Sequence, residues 1–136
     1  MRRVYVAVTP AELAGLVTER HLAGPLAAHA VTEGLRSAWP DGDDEQWEYA
    51  ALMAAADDAL TRRDPADPAR RLVVAADVAE AIAGEGTAVT VPDLTWSQVA
   101  ALLADPVELG ALAEDPEAAA EVDLAWFATQ EIAAFV

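Results

Sequence analysis

The chain has 136 residues and a net charge of −16, with no cysteine and no lysine, so all eight cationic side chains are arginines. Its length suits one ordinary domain that buries a core without covalent staples. The missing cysteine excludes disulfides, thiolate chemistry and Cys-based zinc sites, and the charge argues against nucleic acid, because neutralising a phosphate backbone needs clustered cations.

Residues 3 to 8 alternate, with Val4, Val6 and Val8 on one side and Arg3, Tyr5 and Ala7 on the other, the period of a strand. "TPAE" then announces a helix to about Arg20, with Thr9 as N-cap, Pro10 first in the helix and Glu12 completing a capping box. Leu13, Leu16 and Val17 form its apolar face. "HLAGPLAAHA" contains Gly24-Pro25 and reads as a loop. "VTEGLRSAWP" predicts a short helix capped by Thr32 and stopped before Pro40. The strongest helix signal is "DGDDEQWEYAALMAAADDALTRR". Asp43 or Asp44 caps it, Glu45 and Glu48 suit the positive end of its dipole, and Arg62 and Arg63 suit the negative end. Trp47, Tyr49, Leu52, Met53, Ala56 and Leu60 make too wide an apolar band for one thin stripe, so the helix is expected to pack on the sheet and on a neighbouring helix.

"DPADPA" is irregular, and "RRLVVAADV" reads as a buried, valine-rich strand. Residues 77–87 read as an irregular connection around Gly84 and Gly86, and "TAVTV" as a strand ending at Pro92. "WSQVAALLADP" fits a helix through Trp96, Val99, Leu102 and Leu103, or a strand through Val99, Ala101 and Leu103. "PVELGALAEDPEAAAEV" reads as helical pieces broken at Asp115-Pro116. The closing "DLAWFATQEIAAFV" holds one of the four tryptophans and both phenylalanines, and it too fits either a strand or a helix.

"VYVAVTPAELAGL", "AHAVTEGLR", "EQWEYAALMAAADDAL", "RRLVVAADV" and "LAWFATQEI" occur in an order and spacing that resemble a family of short acidic actinobacterial proteins catalogued as a domain of unknown function. The resemblance covers nearly the whole chain and brings no activity or site residue with it. It implies strands at "VAALLAD" and at "LAWFATQEI". The last segment, Leu124 to Ile132, is accordingly expected to close the sheet, leaving only Phe135 and Val136 free for a partner. The expected fold is a single α+β domain over residues 1–136. It has one sheet of about five strands packed against helices, in the order βαααβββααβ.

Chemical signatures are sparse. The run Asp41, Asp43, Asp44, Glu45 lacks the alternating oxygen ligands of a calcium loop and is explained by a capped helix start, so no metal is assigned. His21 and His29 stand eight apart with no ligand spacing between them. Ser37 and Ser97, the only serines, lie in no nucleophile motif, and the scattered glycines form no cofactor loop. No cofactor is therefore expected. The N-terminal apolar run is too short for a signal sequence, and no run approaches the roughly 20 residues that span a bilayer. A soluble, cytoplasmic protein with no membrane partner is the expectation.

Two functions remain open. The first is a non-enzymatic, acidic protein-interaction or self-associating module, whose partner is another protein or a second copy of the chain. The second is a small-molecule-binding or enzymatic domain with a polar cleft near Arg36, Asp77 and Glu131, with His29 beside them. Asp77 enters because it ends a buried strand, where ligands collect in sheets with parallel strands.

Overall fold

In the computed structural model, which describes residues 1–136, the opening alternation becomes strand β1 (Arg2–Ala7). Val4, Val6 and the following Val8 join the larger core, while Tyr5 joins a second, smaller one. Both faces of this strand are therefore covered. Helix α1 (Pro10–Glu19) starts at the Thr9–Glu12 capping box with Pro10 in its first turn. It brings Leu13 and Leu16, both fully buried, onto the Val4 face.

The chain next forms β2 (His21–His29), where the sequence predicts a loop. The breakers in this stretch cancel one another. β5 (Ala88–Thr95) pairs with β2 from His21↔Thr95 to His29↔Ala88, and the register breaks once, between Ala23 and Leu26. Gly24 and Pro25, joined by a cis peptide, fall in that break opposite Pro92. Two residues thus face one, as in a β-bulge. A Cβ on Gly24 would run into the carbonyl of Pro92, so only glycine fits there. β5 also runs through Pro92 to Thr95 rather than ending at it.

Helix α2 (Glu33–Ala38) is capped by Thr32, and α3 (Asp44–Arg62) by Asp43 with Gln46 as its capping-box partner. The buried face of α3 is not the band of large side chains expected. Ala51, Ala55, Ala56 and Ala59 turn inward, and Tyr49 is half exposed. Small residues let the helix axis approach the sheet closely, which puts the bulky side chains on the flanks.

β3 (Leu72–Val78) forms where predicted. The connection after it contains a two-residue strand, β4 (Ile82–Ala83). β6 (Val99–Ala104) settles the helix–strand ambiguity in favour of the strand, after a single 3-10 turn at Trp96–Gln98. A 3-10 turn at Gly110–Glu114 and helix α4 (Pro116–Ala120) follow, and β7 (Ala125–Phe127) completes an antiparallel sheet of order β4-β5-β2-β1-β3-β6-β7. The architecture is α+β with seven strands, not five, because "HLAGPLAAHA" and Ile82–Ala83 add two. The element order differs accordingly.

α1 covers the face bearing Val4, Val6, Val74 and Leu102, and α3 covers the face bearing Tyr5, Val73, Ala75 and Ala101. The chain end covers the α1 face as well. β7 pairs with β6 at the sheet edge, as expected for Leu124 onwards, but it stops at Phe127. Residues Thr129–Phe135 wind into a 3-10 segment, because Glu131 Oε1 accepts the amide of Ala128 and closes a turn. That turn drives Ile132 fully into the core. Phe135 is not free: it packs edge-on against Phe127 with ring centres 4.7 Å apart.

One ion pair is wholly interior. Arg71 and Asp105 are 1% and 0% exposed. Arg71 meets the carboxylate bidentately, Nε to Oδ2 at 3.0 Å and Nη2 to Oδ1 at 2.7 Å. Its remaining donors reach the carbonyls of Ala119 and Val122 at the end of α4. Every charge is matched, which makes this burial tolerable.

Candidate ligand-binding cleft

Alternation along β1 places Arg3 and Tyr5 on the face that α3 covers. Tyr5 is buried, and its hydroxyl donates to Glu48 Oε2 at 2.6 Å. Burial first, then the bond to Glu48, pushes the Tyr5 phenol well above its ordinary value. Glu48 is thereby held at the rim of β1. Arg3 donates to both oxygens of Asp77, its register partner on β3, at 2.8 and 3.2 Å. That hydrogen bond is the chief reason the Asp77 carboxyl lies below its ordinary value and the Arg3 guanidinium above its own.

Around these residues opens a cleft of ≈ 540 Å³, with Arg2, Arg3 and Arg36 on its walls together with Glu33 and Glu48. Met1, Val31 and Ala83 complete its lining. Arg2 donates to the carbonyl of Val31 at 3.1 Å and makes no pair with a carboxylate. Arg36 comes from α2. Its guanidinium lies over the Trp47 ring, 5.7 Å from the centroid, and has no carboxylate partner. Arg3, Arg62, Arg63 and Arg71 are all ion-paired. Of the four unpaired arginines, Arg2 and Arg36 line this one cleft. A protein of net charge −16 thus concentrates uncommitted cations in one place.

The four residues singled out from sequence are placed as follows. Arg36 lines the cleft, and Asp77 borders it through Arg3. Glu131 bonds its own segment, beside Ile132 on the α1 face of the sheet, and has no ionic partner. His29 sits on β2 between Thr87 Oγ1, 2.7 Å from Nδ1, and Asp58 Oδ2, 2.6 Å from Nε2. That hydroxyl–imidazole–carboxylate chain resembles a catalytic array in connectivity. Asp58 is about half exposed, however, and Thr87 lines none of the larger clefts, so the chain is read as a tie between β2, β5 and α3. No three His, Asp or Glu side chains are placed to hold a metal ion.

The family model for a family of unknown function, DUF6912, matches residues 2–136. The chain belongs to this family. The resemblance read from the ordered segments is thus shown, and with DUF6912 membership comes no assigned activity. No curated protein and no solved structure matches the chain. No helix of this DUF6912 protein is long and apolar enough to cross a membrane.

Reading the sequence alone misses Arg2, Arg3, Glu33 and Glu48 as cleft residues, and Tyr5 as the partner of Glu48. The signal for two of them is present: Arg3 and Tyr5 share one face of an alternating strand. The rest depends on β2 pairing with β1, which sets α2 beside the start of β1, and on α3 reaching Tyr5 through Glu48, long-range contacts that local pattern does not encode.

Proposed function

We propose that the protein is a binding module for a small polar molecule carrying an anionic group, held by Arg2 and Arg36. The observation that carries this reading is Arg36, stacked on Trp47 and making no side-chain hydrogen bond to the protein. A guanidinium held by an aromatic face keeps its planar fork free for a carboxylate or phosphate. The surrounding acidic surface repels anions and makes this cleft the local exception. Recognition is favoured over covalent chemistry, because no serine, threonine, tyrosine or histidine is among the cleft's lining residues and the nearby Tyr5 hydroxyl is committed to Glu48. The chain is read as a single domain, its seven strands forming one sheet, and as cytoplasmic, in keeping with its lack of cysteine. Calorimetric titration with acetate, succinate and inorganic phosphate tests the reading. At least one anion is expected to bind, with Arg36→Ala weakening it by about tenfold or more. Failure of all three anions, or equal binding by the variant, overturns it.

A protein-interaction or self-associating role has its own support. Trp126 on the edge strand β7 is 63% exposed, and Tyr49 and Trp39 are 49% and 39% exposed. Exposed aromatic rings are enriched at interfaces. Light scattering across a concentration series tests self-association: a mass that rises with concentration and falls back in Trp126→Asp favours this role. A monomer at every concentration removes the self-association half of it.

A further inference from the structure

Glu33 and Arg36 are three residues apart on α2, the spacing at which a helix forms ion pairs. They do not pair. Arg36 swings onto Trp47 instead, and Glu33 is left without a cationic partner although both residues line the same cleft. Glu48 repeats the pattern. It lines the cleft beside Arg3, yet its bond is to the Tyr5 hydroxyl, through Oε2 alone, and Arg3 turns to Asp77. Glu33 thus shares the cleft with Arg36 and Arg2 without forming an ion pair, and Glu48 keeps one carboxylate oxygen uncommitted, an arrangement suited to a guest that carries both signs.

Resting on the anion-binding reading above, we infer that the ligand is a small zwitterion, an amino acid or short peptide. Its carboxylate is taken by Arg36 and Arg2, and its ammonium by Glu33 and Glu48. Tyr5 sets the direction of Glu48, and the Trp47 ring sets the plane of Arg36. The ammonium strengthens recognition, because a guest without it leaves two carboxylates crowded against its own negative group.

Calorimetry with three probes tests this. L-alanyl-L-alanine carries both charges, N-acetyl-L-alanyl-L-alanine only the carboxylate, and L-alanyl-L-alanine amide only the ammonium. The free dipeptide is expected to bind about tenfold or more tighter than either blocked form. In Glu33→Gln and Glu48→Gln, which keep shape and, at position 48, an acceptor for Tyr5, the preference over the acetylated probe should shrink. Equal or tighter binding of the acetylated probe by the native protein overturns the inference and leaves the anion reading standing. A preference that both glutamine variants retain also overturns it. No binding by any probe, together with none by acetate, succinate or phosphate, removes both.

Discussion

The hydroxyl of Tyr5, in the middle of β1, is joined to Glu48 on α3 by a 2.6 Å hydrogen bond. This contact ties the sheet to its main helix and fixes a carboxylate at the mouth of the arginine-lined cleft. Stability and the proposed recognition thus share one bond.

Tyr5→Phe should cost about 1–2 kcal/mol at neutral pH, the range for a hydrogen bond to a charged acceptor that water can partly replace. The same bond shapes the alkaline limb. The folded phenol has its pKa raised above the ordinary 10.0, so the unfolded chain ionises first. The stabilisation is full below pH 10.0 and is lost as pH rises from there through the folded value. Denaturant titrations between neutral pH and pH 11 should show a native loss that Tyr5→Phe flattens. Parallel curves for the two proteins would contradict this.

At the acid end the sign reverses. Burial opposes ionisation of Glu12, but the hydrogen bonds from Arg62 and from the Thr9 amide outweigh it and hold the carboxyl below its ordinary 4.5. Asp77, bound by Arg3, lies below its ordinary 3.8. Both groups stabilise the fold above those values, and the contribution is lost as pH falls through the folded pKa of each. Glu12→Gln should therefore lower stability near pH 6 and approach the native protein by about pH 3, as followed by circular dichroism. A constant difference across that range would show that charge is not the cause.

The buried pair Arg71–Asp105 predicts strong non-additivity. Arg71→Met strands a fully buried carboxylate and should cost about 3–5 kcal/mol. Adding Asp105→Leu removes the stranded charge and should recover much of that loss. Chemical denaturation of the two single variants and the double variant measures it. A double variant as unstable as the sum of the singles would show that the pair acts only through its contacts to Ala119 and Val122.

The chain end offers a contrast within one segment. Ile132 is fully buried and Trp126 mostly exposed. Ile132→Ala should cost about 2–5 kcal/mol, whereas Trp126→Ala should stay within about 1 kcal/mol. Thermal unfolding of both variants decides whether the terminus is core. Similar midpoints would contradict the packing described above.

Local grammar was legible wherever the chain states it locally. The Thr9–Glu12 box, the Thr32 cap, the Asp43 cap and the Val4–Val6–Val8 alternation are short-range signals, and each forms the element it announces. Gly24-Pro25 misled because its meaning lies across the sheet: opposite Pro92 it is a bulge, and alone it is a turn. Ile132 and Phe135 misled because alanine-rich spacing around "TQEI" suits strand and helix alike, and the Glu131–Ala128 turn decides between them. The cleft was half legible. The sequence points to Arg36, but nothing local marks Arg2 and Arg3 as its neighbours. What unites them is the pairing of β1 with β2, Tyr5 opposite His29, which sets α2 beside the start of β1.

With eight arginines and no lysine, the protein offers a direct reporter of its central claim. Arginine side-chain Nε–H signals can be followed by two-dimensional nitrogen–proton NMR while N-acetyl-L-alanyl-L-alanine and then L-alanyl-L-alanine are titrated in. The account predicts saturable shifts at Arg2, Arg3 and Arg36, with Arg62, Arg63 and the buried Arg71 unmoved. Shifts spread evenly over all eight, or confined to Arg20 and Arg70, would contradict it.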